Sequence, residues 1–188
     1  YRDDYFPIRA KTEPVVLTEL ASIPSIASTI PKLIDKSLFG RNRIIIQSIL
    51  AGQEMDITIG KNNLPPNKIV KEHFELVTDW LIELGDQTHY QNLKEEDYCS
   101  IINNAKRIFH FSKEEKIFLK EIENNLIKII SYGSVIEHGD FCRQNILVMK
   151  EVKRTKVNII DWSDSKIDGI PLTDLFMFLA TYLLKLRK

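Results

Sequence analysis

The chain has 188 residues, with 26 basic and 26 acidic side chains for a formal charge of zero, and 44% of its residues are apolar. That balance excludes disordered and fibrous classes, and with no basic excess to displace counterions from a phosphate backbone, nucleic acid is not an expected partner. The length suits one domain, or one large and one partial lobe, that buries a core without covalent staples.

In chain order, the start, YRDDYFPIRAK, is polar and lacks the apolar segment of a secretory leader. Thr12 is placed to cap a helix beginning with Glu13 and Pro14, since proline suits a first turn where its missing N–H has no intrahelical partner. Val16, Leu17 and Leu20 then recur on one face. Pro31 ends that region. Lys32 to Asp35 and Arg43 to Ser48 read as two strands joined by a turn at Phe39, Gly40, Arg41 and Asn42. The β-branched run Ile44, Ile45, Ile46 favours a buried pleat.

From residue 53 to Asn67 the chain is polar and holds Gly60, Pro65 and Pro66, so it reads as a connection. Three helices are expected after it. The first starts at Pro66 or Asn67 and carries Ile69, Val70, Phe74, Val77, Leu81 and Leu84 at helical spacing. The second covers 95–109, with Ile101, Ile102, Ala105 and Ile108 inward. The third follows a capping-box pattern of Ser112 and Glu115 and carries Ile117, Phe118, Ile122, Leu126, Ile129 and Ile130. Ile146 to Met149 and Val157 to Ile160 fit a hairpin around a solvated basic turn, KEVKR, at 150–154. A last helix begins near Leu172. Its run LFMFLATYLL at 175–184 is too short to cross a bilayer and is expected to be buried. Cys99 and Cys142 lack paired metal or redox spacing, so a reducing, cytoplasmic setting away from membranes is the default.

The seven glycines contain no G-x-G pair and no G-x-x-x-x-G-K run, so neither a dinucleotide fingerprint nor a Walker A loop is present. There is no HExxH and no G-x-S-x-G elbow. The informative segment is 137–176. Asp140 follows His138 and Gly139, Asn145 comes five residues later, and Asp161 ends an apolar strand. This is the order of a loop for phosphoryl transfer: a base, an amide ligand, then a metal-binding carboxylate after a hairpin. Magnesium prefers hard oxygen ligands from one or two side chains plus phosphates. Asp161 and Asn145 would supply such oxygens, while Asp140 orients an acceptor hydroxyl and takes its proton.

The segment resembles the aminoglycoside phosphotransferase and choline-kinase-like branch of the protein-kinase-like fold. HGDFCRQN matches that family's H-G-D-x-x-x-x-N motif, IIDW matches its metal-binding Asp, and Gly169-Ile170-Pro171-Leu172-Thr173-Asp174-Leu175-Phe176 matches a G-x-P-x-x-D-L-F pattern of bacterial members. The resemblance implies an α+β fold with a partial β-containing N-lobe and hinge over residues 1–52. A mainly helical C-lobe with a catalytic-loop hairpin would follow over 53–188. It implies ATP and Mg²⁺ as cofactors and a small-molecule hydroxyl as acceptor: an amino sugar, a sugar or a choline-like alcohol. Hinge backbone around Ser48, Ile49 and Ala51 would hold adenine. Asp174 would support the catalytic loop through hydrogen bonds, and His138 would bond backbone near the metal loop.

Two departures stand out. Lys11 is the only nearby candidate for the lysine that holds the nucleotide phosphates, and it lies two residues before Glu13, closer than is usual in the family. Either that lysine is missing, or Lys11 serves in a shortened arrangement. The chain also stops at Lys188, where family members usually have further helices, so a fragment or reduced member is expected. Ser163 stands where an acidic residue is common after Asp-Trp. Arg143 would contact a phosphate or acceptor, or be solvated. Trp80 and Trp162 are expected in the core. Asp164 and Asp168 would lie near a cationic acceptor or in a plain polar loop. The alternative to an enzyme is a non-catalytic kinase-like binding module. A protein-directed kinase is disfavoured by Gly139, where such enzymes carry Arg.

Overall fold

Helix α1 runs from Arg9 to Leu20, upstream of the expected Thr12 cap, in a computed structural model that describes residues 9–39, 42–59, 67–90, 103–104, 106–130, 132–152 and 154–186. Pro14 therefore sits inside the helix instead of in its first turn. The N–H it lacks would have bonded the carbonyl of Ala10, so only one bond near the helix start is forfeited. Val16, Leu17 and Leu20 are fully buried, as their spacing predicts.

A one-turn helix α2 (Pro24–Ala27) leads into the antiparallel hairpin of β1 (Leu33–Phe39) and β2 (Asn42–Gln47). Leu33 lies opposite Gln47 and Phe39 opposite Asn42. Gly40 and Arg41 of the expected turn lie outside the described residues. Ile44 and Ile46 are exposed, which corrects the expectation of a buried isoleucine run. Their two-residue spacing puts both on one face, and this sheet has only two described strands.

The expected connection after Gly52 holds two further elements, β3 (Gln53–Glu54) and α3 (Met55–Ile59). Helix α4 (Asn67–Gln87) starts where predicted and buries His73, Val77, Trp80 and Leu84. Gly85 sits in this helix with nothing within 4 Å of a Cβ placed on it. Gly85→Ala is therefore expected to stabilise the fold by about 0.5–1 kcal/mol through helix propensity alone. Urea unfolding checks this, and a lowered midpoint would contradict it.

Residues 103–104 and 106–108 are helical. Ile101, Ile102 and Ala105 lie outside the described residues, and Ile108 is exposed, not inward. Helix α5 (Lys113–Ile130) opens on the predicted capping box. The Ser112 N–H donates to Glu115 Oε2 at 2.7 Å and the Glu115 N–H to Ser112 Oγ at 3.2 Å. Ile117, Phe118 and Ile122 of its apolar stripe are exposed; the side chains of Leu126, Ile129 and Ile130 lie outside the described set.

Four strands follow: β4 (Val135–Glu137), β5 (Ile146–Lys150), β6 (Thr155–Ile159) and β7 (Lys166–Gly169). The predicted hairpin is β5–β6, with Ile146 opposite Ile159 and Lys150 opposite Thr155. β3 adds to its free edge, giving the order β3-β5-β6, and β4 pairs separately with β7. Helix α6 (Thr173–Leu186) closes the described chain. It buries Phe178 and Tyr182 but exposes Phe176, Leu183 and Leu184, so the expectation of a buried helix holds for one stripe only. Among the described residues no helix is long and apolar enough to cross a membrane.

One apolar cluster gathers α1, α4, the β5–β6 hairpin and α6 around Trp80, Phe141 and Trp162. Trp80 stacks on Phe141 with centroids 5.5 Å apart, and its indole N–H donates to Thr29 Oγ1 at 2.9 Å. Both tryptophans are thus core residues. They also fix the loop that follows β4, because Phe141 belongs to it.

Candidate active site

The loop from His138 to Asn145 lies between β4 and β5 and is pinned from below. The Asp174 carboxylate, in the first turn of α6, accepts the backbone N–H of His138 at 2.7 Å and of Gly139 at 3.1 Å. Burial pushes the Asp174 carboxyl up to about 6, with the two amide donors working against the shift. His138 is fully buried. Its Nε2 lies 2.9 Å from the Ile160 carbonyl, and its Nδ1 faces the Asp140 N–H at 3.3 Å. A carbonyl needs a donor and an amide needs an acceptor, so the ring is the neutral tautomer with its proton on Nε2. Burial, the largest influence, lowers its pKa against the Ile160 bond and the charges of Asp161, Asp140 and Asp164. With both nitrogens occupied, His138 orients the loop and is not placed to act as a base.

Above this support, Asn145 Nδ2 donates to the Asp140 carbonyl at 2.9 Å and to Asp140 Oδ2 at 3.0 Å. The amide thus faces the carboxylate with its nitrogen, leaving its oxygen as the group that can ligate a cation. The Ile160 N–H donates to the Asn145 carbonyl at 3.0 Å. That bond draws the end of the β6 segment against the loop and puts the next residue, Asp161, beside it. Asp161 is exposed and has φ 62°. Leu172, just before α6, has φ 74°. These are the two positive-φ non-glycine residues among those described, and both flank the site, where backbone strain is tolerated because surrounding structure holds it. Gly139 has φ +85° and abuts the Asp164 carbonyl, so no side chain fits there.

The hinge candidates Ser48, Ile49 and Ala51 lie in the segment that follows β2. The Ser48 N–H donates to the Lys32 carbonyl at 2.9 Å, and Ser48 Oγ accepts the Lys32 N–H at 2.9 Å. Ser48 therefore closes the β1–β2 hairpin. Ile49 is 97% exposed. The Ala51 carbonyl accepts Asn158 Nδ2 at 2.7 Å, while Asn158 Oδ1 is buried without a partner among the described residues.

Lys11 lies on α1 two positions before Glu13; its side chain is outside the described set. Positions two apart are about 200° around a helix and do not face each other. Glu13 is buried and accepts Gln47 Nε2 at 2.7 Å. Burial raises its pKa, the Gln47 bond lowers it, and the Asp161 charge adds to the rise. Glu13 is thus held by a neutral partner from β2.

Several contributors carried no usable signal in the residues. Glu137 is buried, pairs with Lys166 at 3.0 Å and accepts the Ile170 N–H at 3.2 Å, tying β4 to β7 beneath the loop. Arg143 bonds Asp56 and the Thr181 carbonyl, partners remote in sequence. The glycine in His-Gly-Asp was legible as a motif, but its steric need appears only once Asp164 packs against it.

The Asp174 shift gives a prediction with a definite sign. A carboxyl raised in the fold stabilises it fully below its ordinary 3.8, and that contribution is lost as pH rises through about 6. The stability of the wild type minus that of Asp174→Asn is expected to fall by roughly 2–3 kcal/mol between about pH 4 and pH 7. The difference cancels the opposite trend from His138 and His73, whose lowered pKa values favour the fold toward higher pH. Urea titrations across that range check it; a flat difference would contradict it.

No family model and no curated protein matches the chain. Solved structures do. The aminoglycoside phosphotransferase APH(3'')-Id from Streptomyces rimosus aligns over 95% of this chain and 68% of its own, with a TM-score of 0.53 at 15% identity. The same enzyme in complex with ADP and streptomycin aligns over 98% and 70%, with a TM-score of 0.59 at 15% identity. The likeness establishes the fold alone: mixed α and β, and kinase-like.

Proposed function

We propose that the chain is a phosphotransferase that uses Mg-ATP and phosphorylates a hydroxyl of a small molecule, an amino sugar, sugar or choline-like alcohol. The observation that carries this reading is the paired Asp140 and Asn145, bonded at 3.0 Å, with Asp161 drawn alongside by the Ile160 bond. Asp140 is the base: it orients the acceptor hydroxyl and receives its proton. Asn145 and Asp161 offer one amide oxygen and one carboxylate. That donor set fits a hard divalent cation whose other ligands are phosphate oxygens and water. When bound, Mg²⁺ would neutralise charge on the transferred phosphoryl group. The solved neighbour's complex with ADP and streptomycin is consistent with a nucleotide and an amino-sugar acceptor.

One observation favours a second reading, a kinase-like binding module without turnover. Glu13 accepts from the neutral Gln47, and Lys11 lies on the same helix as Glu13 instead of on a strand facing it, as the phosphate-aligning lysine of kinases does.

Calorimetric titration of Mg-ATP into the chain and into Asp161→Ala decides between them, followed by a screen of acceptors. The expected result is metal-dependent binding weakened at least about tenfold, or 1.4 kcal/mol, by the substitution, and turnover with one acceptor class. Binding without turnover on any hydroxyl would favour the module. No binding by a folded chain would overturn both readings.

A further inference from the structure

Arg143, in the loop that carries Asp140 and Asn145, is engaged in a second charged cluster. Arg143 Nε bonds Asp56 Oδ1, in the first turn of α3, and Arg143 Nη1 bonds the Thr181 carbonyl on α6. Lys185, one turn further along α6, reaches Asp56 Oδ2 at 3.3 Å. The cluster is partly buried: Arg143, Asp56 and Lys185 side chains are 14%, 24% and 18% exposed. Three segments remote in sequence meet there. Asp56 follows β3, which is held on the β5 edge by the pairing of Gln53 with Val148. Thr181 and Lys185 belong to the helix whose first turn carries Asp174. One loop is thus gripped at two points, by Asp174 beneath His138 and Gly139, and by this cluster at Arg143. Asp140 lies between them.

We propose that Asp56, Arg143 and Lys185 form a charged clasp that holds the catalytic loop against α3 and α6, which makes Arg143 a positioning residue for Asp140. The arginine fork suits the role. One guanidinium satisfies a carboxylate and a carbonyl at once in a fixed plane, which an ammonium cannot reproduce. Opening one partner leaves the others charged and half-buried with fewer hydrogen bonds, so the clasp responds to loss of either charge. Its consequence for turnover rests on the phosphotransfer reading; its hold on the loop does not.

Cys142, half-buried between Asp140 and Arg143, provides a local reporter. Its N–H bonds the Asp140 carbonyl at 2.8 Å, and its own carbonyl accepts the Asn145 N–H at 2.9 Å. In a Cys99→Ser background, the rate of Cys142 labelling by a chromogenic disulfide is measured for the parent, Arg143→Gln, Arg143→Lys, Asp56→Asn and the double variant Asp56→Asn with Arg143→Gln. Arg143→Gln and Asp56→Asn are each expected to speed labelling about tenfold, with the double variant adding little, as coupled partners do. Simple field effects cannot mimic this. Removing the arginine charge disfavours the thiolate while removing the aspartate charge favours it, so acceleration in both means loosening. Arg143→Lys is expected to recover part of the protection.

Nucleotide affinity and turnover are read in parallel. The expected split is a 10- to 100-fold lower kcat in Arg143→Gln with nucleotide KM changed less than about twofold, since a small misplacement of the base costs rate more than binding. Labelling rates unchanged in folded variants would overturn the clasp. Faster labelling with unchanged kcat would overturn the positioning role. A parent that neither binds Mg-ATP nor turns over would overturn the phosphotransfer reading, with the labelling rates still deciding the clasp.

Discussion

Asp140→Asn is expected to lower turnover by about 10²–10⁴-fold, the usual worth of a positioned general base, while leaving Mg-ATP affinity nearly unchanged. The selectivity follows from the geometry. Asp140 contributes its carboxylate to Asn145 Nδ2, but the loop around it is fixed by backbone and other side chains. Asp174 holds His138 and Gly139, and the Cys142 and Asn145 amides close a turn over Asp140 and Cys142. An asparagine keeps an oxygen to accept from Asn145 and loses only the proposed proton acceptor. Steady-state kinetics beside calorimetry separates the two effects; near-normal kcat would refute the assignment of Asp140 as base.

Gly139→Ala is expected to destabilise the fold by roughly 2–5 kcal/mol, adding the left-handed backbone cost to overpacking. At φ +85° a Cβ would drive into the Asp164 carbonyl, which is backbone and cannot rotate aside. The strain would fall on the amides of His138 and Gly139 that Asp174 holds, so the loop would lose its register as well as its stability. Gly85→Ala is the matched control, with the opposite sign expected because its Cβ meets open space. Urea unfolding of both variants, with circular dichroism to confirm a folded baseline, tests the pair. A Gly139→Ala midpoint equal to the parent's would show that the Asp164 segment gives way.

Much of the local structure was legible from the residues. The Ser112–Glu115 capping box, the start of α4 at Asn67 and the β5–β6 hairpin each depend on neighbours within a few positions. Their signals are written where the structure forms. The order His138, Gly139, Asp140, Asn145, Asp161 likewise identified one stretch as the candidate site before any contact was known. Thr12 and Pro14 looked like a helix start, but α1 extends upstream because a proline that near the beginning forfeits a single bond. The apolar run in α6 looked buried throughout, yet a helix against one core buries one stripe, here through Phe178 and Tyr182.

The sequence by itself thus determined where hydrogen-bonded turns and strands begin and which carboxylates stand at motif spacing. These are properties of bonds closed over short stretches of chain. Only the tertiary structure decided which partner each charged or apolar side chain meets. β3, two residues long, exists because β5 presents an unpaired edge, and a two-residue strand leaves no periodicity to read. Glu13 meets Gln47, and Arg143 meets Asp56, 87 positions away. Such pairings are set by how packed elements bring distant segments together around Trp80, Phe141 and Trp162. No local propensity encodes which of many equivalent charges will arrive at a desolvated site.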